Sequence, residues 1–220
     1  MSNLRILVAD DSQVMRDAYK EILATGDDFE VVGMASDGEE ALEKHTELAP
    51  DVIILDVRMP KLDGLAVANK ILAGSPQTAI VLVSAYDDLA FVRAIMHSGA
   101  SRKAYILKNS LADIPEFIRV VEAVAKGQAV LHETIIQSLM DIYHRKIPSD
   151  AKPLTDMEES VLKLVLEGYD EIEIAQALGK RIDQVEVLAD SLCEKLGLAV
   201  QDGPSRSAQV VQAMINICIS

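Results

Sequence analysis

The chain has 220 residues, half of them hydrophobic and a quarter charged, with a formal net charge of −14. This is the profile of a folded globular protein with room for one large domain or two small ones. It excludes a chain that is basic throughout, and stand-alone nucleic-acid binders are usually basic on at least one face. No apolar run has the length of a membrane span.

The N-terminal stretch "MSNLRILVADDS" ends its short apolar run in Asp10 and Asp11. That is not the pattern of a secretory leader, and the expected location is cytoplasmic. Cys193 and Cys218 have no CxxC spacing and read as reduced thiols. His45, His97, His132 and His144 show no metal-ligand spacing.

Short apolar runs at 4–9, 30–35, 51–56, 79–84 and 104–108 read as buried strands. Helical periods fill 12–25, 37–49, 63–73, 87–98 and 112–126. Strict alternation of this kind predicts an α/β unit with a five-stranded, doubly wound parallel sheet. From 128 onward only helical periods remain. "VLHETIIQSLMDIYHRK" reads as one amphipathic helix, and "IPSDAKP" reads as a joint. Helices are then expected at 156–167, 171–178, 182–196 and 206–218, the first opened by a Thr155–Glu158 capping box. The expected organisation is residues 1–127, a helical linker over 128–153, and an all-α domain over 154–220. Residues 1–148 and 149–220 each carry a net charge of −7, so the shorter part is about twice as acidic per residue.

In a doubly wound sheet, ligands bind beyond the carboxyl ends of the strands. Asp10, Asp11, Asp56, Ser84 and Lys108 all fall there. Three carboxylates so close repel one another unless a cation sits among them, and open hard-oxygen sites suit Mg²⁺. Lys108 adds a positive point charge and Ser84 a hydroxyl donor. Together they could neutralise a phosphoryl group in transfer. Asp56, at the centre of the sheet, is the candidate nucleophile.

Residues 1–127 resemble a response-regulator receiver domain through "DD" (10–11), "DVRMPKLDG" (56–64), "SA" (84–85) and "YILK" (105–108). The resemblance implies that Asp56 is the phospho-acceptor. It implies a Mg²⁺ held by Asp11, Asp56 and the backbone carbonyl of Arg58, with Asp10 helping through water. Ser84 and Tyr105 would be the switch pair and Lys108 the phosphate partner. A sensor histidine kinase or a small phosphodonor would supply the phosphoryl group. "GASRKAY" (99–105) is two residues longer than the family's usual form and carries Arg102 and Lys103. The loop is expected beside the face that changes on phosphorylation; one reading is a tolerated insertion, the other a basic contact for an acidic partner or for the acidic second domain.

Residues 154–220 resemble the LuxR-type helix-turn-helix domain of NarL/FixJ regulators, chiefly at packing positions: "LT" (154–155), Glu158, Gly168, "EIAQAL" (173–178), Val185, "KLG" (195–197) and Ser205-Arg206. Val185, Leu188, Ala189, Leu192 and Leu196 form one apolar stripe on the presumed reading helix. Asp183, Glu186, Asp190 and Glu194 form a second, acidic stripe facing outward. Acids on that face reverse the phosphate-neutralising contribution on which DNA affinity rests. The remaining candidate contacts are Lys180, Arg181 and Arg206. Three outputs therefore stay open: a regulator that still binds DNA, a phosphorylation-controlled dimerisation or interaction module with a basic protein partner, and a phosphate relay.

Overall fold

The computed structural model describes residues 3–26, 28–147, 152–199 and 203–219. By its contacts the chain divides into two compact units, 1–87 with 102–126, and 88–101 with 127–220.

The first unit alternates β1 (Leu4–Ala9), α1 (Gln13–Leu23), β2 (Phe29–Ala35), α2 (Gly38–Leu48), β3 (Val52–Asp56), α3 (Gly64–Gly74), β4 (Ala79–Ser84), β5 (Lys103–Leu107) and α5 (Ile114–Ala125). A 3-10 turn over Lys108–Ala112 precedes α5. The strand order is β2-β1-β3-β4-β5, and every pairing is parallel. Every residue of β3, β4 and β5 is buried. Their apolar sequences, broken only by Asp56, Ser84 and Lys103 at the strand ends, follow from that, because a parallel sheet is covered on both faces. Helix α1 packs with α5, and α2 with α3. Aspartates start α2, α3 and α5: Asp37 accepts hydrogen bonds from the Glu39 and Glu40 amides, Asp63 from Ala66, and Asp113 from Glu116.

The second unit holds α4 (Leu89–Met96), β6 (Ala129–Leu131), α6 (Glu133–Lys146), α7 (Asp156–Leu166), α8 (Glu171–Leu178), α9 (Ile182–Lys195) and α10 (Arg206–Ile219). Helix α4 belongs here through its contacts with α10. Among the described residues six strands form where the sequence suggests five. The sixth, β6, takes the start of the segment expected to be wholly helical, and α6 begins only at Glu133. The Ala129 amide donates to Ser207 Oγ, and Ser205 Oγ donates to the Gly127 carbonyl. These bonds fasten the β6 segment to the start of α10. Cys218 Sγ donates to the Leu139 carbonyl and Lys146 Nζ to that of Ile217, so α6 is packed along α10. Of the joint expected over 147–153, residues 148–151 lie outside the described residues. Cys193 and Cys218 are free and buried.

The loop at 99–103 is corrected. Arg102 lies at the amino ends of the strands, where its carbonyl accepts from the Ile80 amide and Lys103 pairs in register with Ile80. That is the edge opposite Asp56 and Ser84. Arg102 Nη1 donates to the Ala125 carbonyl at 2.7 Å. Lys103 is 3% exposed, and burial pulls its pKa down to about 8. Neither residue forms a basic contact near the carboxyl ends of the strands.

Candidate functional site

Strands β1 and β3 are neighbours, and their carboxyl ends deliver the acids. Asp10, Asp11 and Asp56 each place a carboxylate oxygen within 4.8 Å of the others. Asp10 and Asp56 are buried, while Asp11 is exposed. Lys108 follows β5 directly, and its Nζ lies 2.8 Å from Asp10 Oδ2 and 3.0 Å from Asp56 Oδ2. One ammonium thus spans two carboxylates that would otherwise repel. Asp10 is further fixed by the Ser12 amide, which donates to its Oδ1 at 2.9 Å. Arg16 Nη1 donates to the Asp10 carbonyl at 2.6 Å.

Burial pushes the Asp56 carboxyl above its ordinary pKa, and the charge of Asp10 adds to the rise. Lys108 and the Arg58 amide, which donates to Asp56 Oδ1 at 3.3 Å, oppose it. For Lys108, burial depresses the pKa, but its bonds to Asp10 and Asp56 leave it raised. The carboxylates form a hard-oxygen donor set open to solvent on the Asp11 side, and this fits a small divalent cation.

The turn after β3 is held by a close backbone approach. The Gly64 amide donates to the Val57 carbonyl, and a Cβ on Gly64 would stand 2.1 Å from the Asp56 carbonyl oxygen. Only glycine lets α3 start this near the acceptor strand.

Ser84 ends β4, buried, with its Oγ accepting from the Tyr86 amide at 3.0 Å. Tyr105 is fully buried and its hydroxyl donates to the Tyr86 carbonyl at 2.9 Å. All the receiver candidates therefore gather at one end of the sheet. Sequence reasoning missed three neighbours. Tyr86 is grasped by both Ser84 and Tyr105, and the Arg58 guanidinium lies 5.3 Å from its ring centroid. Arg16 holds the Asp10 backbone. Tyr19, on α1, has a buried hydroxyl near Asp10 and Asp56.

In the second unit Val185, Ala189, Leu192 and Leu196 are buried, and Leu188 is half-buried. Asp183, Glu186, Asp190 and Glu194 are exposed on α9, as their spacing predicts. The Thr155–Glu158 capping box is present. Two of the three candidate DNA contacts are already engaged with acids. Arg181 donates to both carboxylate oxygens of Asp183, at 3.0 and 2.9 Å. Arg206 lies 3.2 Å from Asp190 and 3.5 Å from Glu171.

The model of the response regulator receiver domain matches residues 6–133. The oxygen regulatory protein NreC of Staphylococcus carnosus is 34% identical over 203 residues, covering 89% of this chain and 92% of the relative. The transcriptional regulatory protein DegU of Brevibacillus brevis is 33% identical over 194 residues, covering 80% of each. Among solved structures, the RcsB response regulator of Salmonella typhimurium, studied for its DNA interaction, superposes with a TM-score of 0.58 at 24% identity. That superposition covers 91% of this chain and 95% of the other.

Proposed function

The chain belongs to the response-regulator receiver family, as a receiver followed by a LuxR-type helical output domain, and on that premise we propose that Asp56 is its phospho-acceptor. The observation that carries this reading is the placement of Asp56, buried, bridged by Lys108 and within reach of Asp10 and Asp11. Receiver, connecting segment and output domain are taken as 1–127, 128–153 and 154–220. Family members are regulators rather than classical enzymes, and they work with sensor kinases. The relatives' descriptions as transcriptional and oxygen regulatory proteins support a role in transcription regulation. Among the described residues, no helix is long and apolar enough to cross a membrane.

In the proposed step one Asp56 oxygen attacks the phosphorus of a phosphohistidine or small phosphodonor. An O–P bond forms as the bond to the leaving group breaks, giving an acyl phosphate. Lys108 stands within 3.0 Å of that carboxylate and compensates the charge gained by the phosphoryl oxygens. Asp11, Asp56, the Arg58 carbonyl and, through water, Asp10 would hold Mg²⁺. That ion, when bound, supplies charge neutralisation for the transferring oxygens. Ser84 Oγ offers a donor to the same oxygens. Tyr105, tied to the Tyr86 carbonyl, would follow any movement of Ser84, because both grip Tyr86.

The output reading is narrower than the family's. With Arg181 and Arg206 paired to neighbouring acids, α9 presents a negative face, and direct DNA recognition by α9 is disfavoured. The test of the phosphoryl reading is intact mass after incubation with Mg²⁺ and acetyl phosphate. One hydroxylamine-labile phosphoryl adduct is expected, absent in Asp56→Asn. Unchanged labelling of that variant would overturn the assignment.

A further inference from the structure

The edge of the sheet opposite Asp56 carries a second concave surface, wholly within the first unit. It is an open depression of about 520 Å³ at the amino ends of the strands, and its lining includes His45, Asp51, Thr78 and Arg102. That volume is of the size that small ligands occupy. The Ala79 amide donates to the Asp51 carbonyl at 2.9 Å, and the Ile80 amide donates to the Arg102 carbonyl at 2.8 Å. Asp51 and Arg102 thus flank the start of β4 from its two neighbouring strands, with backbones about 10 Å apart by strand spacing. Among the described residues three non-glycine residues have positive φ, and two of them, Ala49 at 43° and Arg102 at 60°, line this depression. Residues with a side chain rarely take that conformation, and it gathers where a site is held in place.

Both charged groups are anchored and neither is spent. Asp51 Oδ2 accepts from the Arg5 amide at 2.9 Å, which uses one of its two oxygens. Arg102 Nη1 donates to the Ala125 carbonyl at 2.7 Å, and the guanidinium has further N–H groups to give. The floor between them is polar and neutral. His45 is 8% exposed, and its Nε2 shares a 3.1 Å hydrogen bond with Oγ1 of the buried Thr78. Burial pulls the His45 pKa down, so the imidazole adds no charge at neutral pH.

We propose that this depression binds a free α-amino acid, its carboxylate on Arg102, its ammonium on Asp51 and the rest of the molecule over the His45–Thr78 floor. Two fixed charges of opposite sign select a zwitterion. An inorganic anion would meet Arg102 but also face Asp51, and a simple amine would do the reverse. A sugar would leave both charges without a counter-charge. An apolar compound would strip their water and return no bond. The 99–105 loop is then a binding element at the amino edge, separate from the phosphoryl chemistry at the other.

The test is nuclear magnetic resonance of the isotope-labelled full chain, titrated with L-serine, L-glutamine and L-leucine. Each is paired with its N-acetyl form, which lacks the ammonium, and its primary amide, which lacks the carboxylate. Inorganic phosphate and glucose represent the anion and the neutral polar occupant. At least one free amino acid should give saturable shifts at the Ala49, Asp51, Thr78 and Arg102 amides. Its two blocked forms should bind about tenfold more weakly or worse, because a charged hydrogen bond is lost in each. Arg102→Gly suits the positive φ, and Asp51→Asn keeps an oxygen for the Arg5 amide, so both variants should fold, which their own spectra check. Each should weaken binding by a similar factor. If a variant does not fold, the blocked forms decide on the parent chain alone. Absence of saturable shifts with all three amino acids, equal binding of either blocked form, equal binding of phosphate or glucose, or unchanged affinity in either variant would each overturn the proposal.

Discussion

At the scale of single residues the buried group beside the pocket that stands apart is Tyr19. Tyr19 is fully buried, its ring 5.8 Å from that of Phe117 at a tilt of 33°. Its hydroxyl has no hydrogen-bond partner among the described residues. Burial raises its pKa, and the charges of Asp10 and Asp56 raise it further, so it stays protonated. A buried hydroxyl that makes no bond has lost its water for nothing, which costs on the order of 1–3 kcal/mol. Tyr19→Phe keeps the ring and removes that cost. The expected result in urea unfolding without Mg²⁺ is unchanged or slightly higher stability, by up to about 1 kcal/mol. A clear loss would mean that the hydroxyl holds a buried water against the acid pocket. Asp10, Asp56 and Lys108 were legible in the sequence because charge at the end of an apolar run stands out. Tyr19 was not, since on a core-facing helical period an aromatic ring reads as packing.

Helices α7 and α9 are joined by a charge whose partners come from three places in the sequence. Glu158 is 3% exposed and receives hydrogen bonds from Thr155, Ser191 and Lys195, the last at 2.6 Å. Burial alone would push its carboxyl up. The bonds from Lys195, Thr155 and Ser191 outweigh burial and bring it down to about 2. A carboxyl depressed on folding gives stability above its unfolded pKa, and that stability is lost as pH falls through the folded value. The contribution is therefore complete above about pH 4.5 and fades toward about pH 2. Glu158→Gln should destabilise the second unit near neutral pH by about 1–3 kcal/mol, as for a broken buried charged bond. It should also flatten the acid limb of stability between those two pH values, followed by circular dichroism. An acid limb as steep as the parent's would reject Glu158 as its source. The capping box with Thr155 was readable from spacing alone. The pairing with Lys195, 37 residues away, was not, and it makes the lone base near the end of α9 an internal partner rather than a DNA contact.

Across the whole molecule, what periodicity encodes was legible and what depends on edges was not. The alternating first unit and the helical second unit follow from patterns several residues long. Strand β6 did not, because three residues carry no period. Arg102 and Lys103 read as exposed bases near the phosphoryl face. In the sheet the start of β5 lies at the far edge, and Lys103 turns inward. Arg181 and Arg206 were legible as bases but not as paired bases, because Arg206 meets Glu171 and Asp190 only once three helices are packed. These pairings decide the molecule's electrostatics, since a chain of net charge −14 has few bases to spare. If charge alone keeps the second unit from DNA, reversing it should restore binding. Glu186→Lys with Asp190→Lys adds four charges on one exposed face, leaves Val185, Ala189, Leu192 and Leu196 buried, and removes a partner of Arg206. The full-length double variant should gain duplex binding that weakens steeply with salt, whereas the parent binds weakly or not at all at physiological salt. Fluorescence anisotropy on one labelled duplex across a salt series makes the comparison. Tight binding by the parent would return α9 to the role of a DNA reader. A variant as inert as the parent would show that charge is not what keeps α9 from the duplex.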